Sequence, residues 1–221
     1  LLLGLLNRDS GEMKILGVDD PNSIELKDKL GVVFDELLVP EEMTLVDLEK
    51  FCSRVYSKWN KDFFYQLKEK FNLSEKQMIK NYSRGMRMKL SMAVALSHNA
   101  EILILDEPTA GLDPKGRDDI LSNIKEIHER EKNTIILVSH SMDDVAKLAD
   151  RLLVMNHGKV EFFDTPTEVF KNEARLKEIG LDVPQVLQLA NQLREKGFEI
   201  SSEILTIDDI KNEIVKNLKR S

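Results

Sequence analysis

The chain has 221 residues, a net charge of −7 and 42% hydrophobic residues, enough apolar material for one large domain or a domain with a small appendage. The acidic balance, without a basic stripe or interleaved aromatic and basic residues, argues against a nucleic-acid partner. A lone cysteine, Cys52, excludes an internal disulfide, and every apolar run falls far short of the roughly 20 residues that a membrane span needs.

In chain order, Glu12 to Leu16 and Lys29 to Phe34 read as strands. Thr44 to Tyr56 and Asp62 to Phe71 read as amphipathic helices, with Leu45, Leu48, Cys52 and Val55 on one stripe and Phe63, Phe64, Leu67 and Phe71 on the other. On that stripe Cys52 is expected to be a small buried side chain, and Trp59 with the Phe residues to be ordinary core. Ser83 is placed as the N-cap of a helix running to Leu96. The start of a helix exposes unpaired N–H groups and the positive end of its dipole, so it can receive a phosphate.

The run Ile102 to Leu105 suits a parallel strand covered on both faces. It delivers two adjacent carboxylates, Asp106 and Glu107, to the C-terminal sheet edge where α/β proteins bind ligands. Alone, such a pair reads as a core strand capped by solvated acids. In a nucleotide site Asp106 would hold Mg²⁺ and Glu107 would orient or deprotonate the attacking water. Ala110 to Pro114 is a tight loop. Thr134 to Val138 is a second buried strand ending in Ser139-His140, which would set His140 beside the acids. Arg151 to Met155 and Val160 to Phe163 form a hairpin with His157 in its turn. Helical stripes follow Pro184 and Thr206.

The order of the Ser83-led helix, the Ile102 to Glu107 strand, the Gly111 to Asp113 loop and His140 resembles the ATP-binding cassette ATPases of ABC transporters. The resemblance covers nearly all of residues 1 to 165, since Gly31 to Glu36 falls where that family runs into its Q-loop. It implies an α/β fold: a P-loop NTPase-like core over 1–164 that is N-terminally truncated, a helical subdomain over about 42–98, and a small helical extension over 165–221. It further implies ATP and Mg²⁺ as ligands and a head-to-tail dimer with a second ABC ATPase subunit. A transmembrane transporter subunit would be the other partner, at the cytoplasmic face of the membrane. Residue by residue, Glu107 would be the base and His140 the γ-phosphate contact. Ser83, Arg84, Gly85 and Met86 would close on the partner's nucleotide, Asp113 would communicate across the dimer, and Asp106 and Asp35 would serve the metal.

Three departures qualify the resemblance. No Gly-x-x-x-x-Gly-Lys-Ser/Thr loop occurs in the chain; that loop supplies the backbone nest and the Lys for the β- and γ-phosphates. Leu1 to Leu6 looks like the remainder of the helix that such a loop opens, so the sequence is expected to start just downstream of it. Asp35 stands where most relatives have Gln; Asp is still a hard oxygen ligand, though shorter and charged. Arg84 and Met86 replace the commonest Gly and Gln, with Arg84 pairing with phosphate or lying on the surface. These variants resemble peptide-antibiotic and drug exporter ATPases. By contrast, Gly180 to Gln185 and Leu193 to Phe198 resemble the energy-coupling factor ATPases of importers. The alternative reading is a catalytically incompetent cassette that contributes only the signature half of a shared site in a heterodimer.

Overall fold

The computed structural model describes residues 3–4, 9–34, 39–40, 42–201 and 203–220, with side chains to 217. They form two compact units, 1–138 and 139–221, a boundary that falls earlier than the 164/165 junction expected from the sequence.

The first unit is built on three parallel strands, β1 (Leu30–Val33), β2 (Ile102–Asp106) and β3 (Thr134–Val138), with β2 in the middle. Register pairs Val33 with Leu105 and Asp106 with Val138. Between β1 and β2 come α2 (Leu45–Val55), α3 (Lys61–Lys70) and α4 (Arg84–Ser97), and between β2 and β3 comes α5 (Pro114–Glu131). Helix α4 approaches β1 so closely that a Cβ on Gly31 would lie 3.0 Å from the Ala95 carbonyl oxygen. Beneath it Leu103 and Leu105 are fully buried.

The expected two-sided cover of β2 needs correction. On its second face the lower end, Leu30 and Ile102, packs with Ile15, Leu26 and Val18. Higher up Ile104 is half-buried, and on β3 Ile136 and Val138 are 37% and 49% exposed. Glu12 to Leu16 is not a strand either. Ile15 and Val18 exchange backbone bonds across a two-residue turn, with Leu16 at φ 51° and Gly17 at φ 81°. Two successive left-handed residues close a type I′ turn, and the pairing stops at this single bridge. A short helix, α1 (Ile24–Lys27), precedes β1.

The two amphipathic helices form as their spacing requires. Thr44 and Asp47 make a reciprocal capping box at the start of α2, which buries Leu45, Leu48 and Cys52. Val55 escapes that stripe at 57% exposure. Burial, helped by the nearby Glu49 charge, pushes the Cys52 thiol up to about 12, which keeps it protonated and unreactive. Glu49 itself is buried and held by Trp59 Nε1 (3.3 Å) and Lys61 Nζ (3.4 Å). Along α3, Phe64 and Leu67 are buried and Phe71 caps the end, while Phe63 is half-buried under the Arg130 guanidinium.

The second unit holds α6 (Met142–Leu148), the antiparallel hairpin β4 (Leu152–Asn156) and β5 (Lys159–Asp164), and α7 (Pro166–Phe170), α8 (Glu173–Glu178), α9 (Gln185–Glu195) and α10 (Ile207–Arg220). His157 at φ 47° and Gly158 at φ 74° make the hairpin turn, as the sequence indicated. One core joins all of these: Ala146, Val154, Phe170, Leu176, Leu187, Ala190 and Ile210 are buried together, with Phe162 and Ile214 against them. The tail helices share this core with the hairpin.

Candidate functional site

Asp106 is the last residue of the central strand, and Glu107 is the first beyond it. The Glu107 N–H donates to the Val138 carbonyl (2.9 Å), which prolongs the β2–β3 ladder by one bond. The next bond turns the chain, as the Ala110 N–H donates back to the Glu107 carbonyl (3.0 Å). To do both, Glu107 adopts φ +46°. A non-glycine residue in that region stores about 1 kcal/mol or more of strain, and such strain gathers at functional positions. Pro108 and Thr109 are buried, while both acids are half-buried. Their carboxylates thus leave the core at the C-terminal edge of a parallel sheet.

The loop that follows is shaped by Gly111 at φ +66° and ends on Asp113. Asp113 is the N-cap of α5, accepting from the Gly116 N–H at 2.6 Å with Pro114 in the first turn. Expected to act across a dimer, it also has this local task. The 18-residue α5 that it caps went unrecognised in the sequence reading, although Asp-Pro followed by Ile120, Leu121, Ile124 and Ile127 at helical spacing marks it.

Ser83 caps α4 as expected, accepting from the Met86 N–H at 3.2 Å. Its first turn contains Arg84, Gly85 and Met86 and no acid, whereas the start of α5 carries the Asp113 carboxylate as its cap. A positive helix end without its own carboxylate, as at α4, favours an anion from elsewhere. The two starts adjoin: a Cβ on Gly85 would meet Leu112 Cδ2 at 3.6 Å, and one on Gly111 would lie 3.1 Å from Arg84 Cζ. Lys89 and Asp119 pair one turn further on, at 3.7 Å. The structure thus brings Ser83 to Met86 together with Gly111 to Asp113.

His140 is the second residue of the second unit. It follows Ser139, whose Oγ accepts from the Ser141 N–H (3.1 Å), and precedes α6, whose N-cap Ser141 accepts from Asp144 (3.3 Å). Its ring is exposed. Asp35 lies outside the described residues, as does most of the expected first helix.

No group of three or more His, Cys, Asp or Glu side chains able to hold a metal occurs among the described residues. Magnesium at nucleotide sites needs only one or two carboxylates, with phosphates and water completing its shell, so the Asp106 carboxylate fits it. No helix among the described residues is long and apolar enough to cross a membrane.

Residues 1–110 match the ABC transporter family. An energy-coupling factor transporter ATP-binding protein, EcfA2, of Caldanaerobacter subterraneus subsp. tengcongensis is 40% identical over 99% of this chain and 80% of its own length. The chain belongs to the energy-coupling factor ATP-binding proteins of the ABC transporter family. The EcfA2 of Clostridioides difficile is 61% identical over 61% of the chain, an alignment spanning about half (47%) of that relative. The likeness to the Caldanaerobacter EcfA2 takes in the exporter-like front as well as the importer-like tail. Among solved structures, cbiO1 from Clostridium perfringens, part of the ABC transporter complex cbiONQ, superposes with TM-score 0.68 at 23% identity over 87% of this chain and 80% of that one. The ATP-binding cassette MJ0796, dimeric and bound to ADP and Pi, reaches 0.61 at 21% identity over 72% and 74%. The fold of this energy-coupling factor protein is that of an ABC ATPase.

Proposed function

We propose that the chain works as the ATP-binding and hydrolysing subunit of a transporter, with closure of two such subunits on ATP coupled to a membrane partner. The observation that carries this reading is Glu107, held at φ +46° where the central parallel strand leaves the core beside Asp106. A carboxylate fixed there can take a proton from water attacking a bound γ-phosphate. Asp106 would hold Mg²⁺, which offsets phosphate charge when bound; Asp35 is proposed for the same shell. His140 would contact the γ-phosphate. The start of α4, with no acid in its first turn, supports the rest: Ser83, Gly85 and the Met86 turn would face a partner subunit's nucleotide, and Asp113 would read its state. Working with a transmembrane subunit would put the chain at the cytoplasmic face of the membrane, peripherally attached.

The test mixes the 221-residue chain with an energy-coupling factor ATPase whose phosphate loop is present, with and without Mg-ATP, and follows association by light scattering. Because the 221 residues contain no Gly-x-x-x-x-Gly-Lys-Ser/Thr sequence, turnover by the chain alone should be negligible. In the mixture ATP held by the partner's phosphate loop should drive a dimer that Ser83→Arg abolishes. Absence of ATP-dependent association would overturn the proposal. Turnover by the mixture that Glu107→Gln leaves unchanged would favour the reading in which the chain contributes only the signature half.

A further inference from the structure

We propose that Arg84 is a positioning residue that clamps the loop after the carboxylate strand against the start of α4, so that the Ser83-led turn and the Asp113-capped loop move as one body. Gly111 has no side chain, and its left-handed φ of +66° turns its bare face toward α4. The Arg84 side chain occupies that face: a Cβ added to Gly111 would overlap Nη1 and lie 3.1 Å from Cζ and 3.5 Å from Cδ. A guanidinium is planar, delocalised and weakly hydrated, which suits it to lie flat on an exposed peptide where a compact ammonium would not. Leu112, the next residue of the loop, reaches the other way to the Gly85 position at 3.6 Å. The Lys89–Asp119 pair, at 3.7 Å, repeats the link one turn along both helices.

Successive contacts therefore join the α4 start to the α5 start, and Arg84 supplies the one that needs a glycine opposite it. Of the two roles the sequence left open, phosphate partner or surface residue, the exposure of Arg84 agrees with the second, and its side chain lies against the neighbouring loop at Gly111. The functional consequence rests on the nucleotide role proposed above, since a ligand touching Ser83 and Gly85 would then be felt at Asp113. The clamp itself does not depend on that role, and its test uses no nucleotide.

Hydrogen exchange of the whole chain reads the loop through two amides, Ala110 N–H bonded to the Glu107 carbonyl (3.0 Å) and Leu112 N–H bonded to the Thr109 carbonyl (3.3 Å). Arg84→Ala should speed exchange of these two by at least about threefold, while the amides of β2 keep their rates. Arg84→Lys, which keeps the charge and stem, should show the same local pattern with a smaller change. Unchanged rates at Ala110 and Leu112 would overturn the clamp, and so would acceleration spread evenly over α4 and the sheet. A thermodynamic cycle gives an independent reading. Gly111→Ala must displace Arg84 in the parent but not in Arg84→Ala, so it should lower the folding equilibrium constant about threefold less in the second background. Equal losses in the two would also overturn the proposal.

Discussion

At the start of α2 the Thr44 hydroxyl accepts from the Asp47 N–H (3.3 Å) and the Asp47 carboxylate accepts in return from the Thr44 N–H (3.2 Å). At the start of α4 the Ser83 hydroxyl accepts from the Met86 N–H, and the side chain in the place of Asp47 is a thioether without an oxygen to return the bond. Both helices have a hydroxyl cap, and one supplies its own negative charge. The other has Arg84 at its first position and Arg87 just beyond. A completed box adds about 1 kcal/mol to a helix start. The incomplete start of α4 is consistent with the nucleotide role proposed above, which needs a helix end left positive for a visiting anion.

The largest effect should come from making the two starts alike. Met86→Asp would complete the box on α4 and raise stability by about 0.5–1 kcal/mol, yet weaken ATP-dependent association with a partner ATPase by tenfold or more, on the order of 1.4 kcal/mol. Thermal unfolding and light scattering would show the opposite signs; a variant that gains stability and keeps its association would remove the meaning given to the difference.

A smaller effect separates the caps. Thr44→Ala loses the bond its hydroxyl accepts from the Asp47 N–H and the one it donates to the Asp47 carboxylate (2.6 Å) and should cost about 1–2 kcal/mol, whereas Ser83→Ala loses one exposed bond and should cost about 0.5–1 kcal/mol. Urea unfolding of the two variants checks the order.

The smallest is a response to acid. The bond from the Thr44 hydroxyl, then that from its amide, hold the Asp47 carboxyl below its ordinary value of 3.8. A carboxyl depressed on folding contributes fully above that ordinary value, and its contribution fades as pH falls through the lowered one. The NMR shift of the Thr44 amide should therefore titrate below pH 3.8, while that of Met86, which has no carboxylate opposite, should stay flat.

Much of the architecture was legible because its signals are local. Four-residue apolar runs, the Thr44 and Ser83 caps, and a Gly after His157 each specify an element without help from distant residues. What stayed hidden depended on partners far along the chain. His98 is buried with both ring nitrogens 3.1 Å from backbone carbonyls, of Val94 and Leu30, and its ring stacks on Tyr56 at 4.1 Å; no periodicity announces that. Val55 fits an apolar stripe by spacing, yet the stripe had already turned outward at the end of α2. Of the site, the carboxylate strand and the serine cap were readable from residue type and order. The seating of Arg84 on Gly111 was not, because it needs a left-handed glycine 27 positions away in the chain.

Glycine would enter the backbone conformation of Glu107 freely, whereas glutamate enters it against its own preference. The hydrogen bonds on either side, to Val138 and from Ala110, hold the residue there from without. The reactivity proposed for this edge thus depends on the cohesion of the β2–β3 pair, and loosening that pair would let the acid relax away from its post before the rest of the sheet came apart.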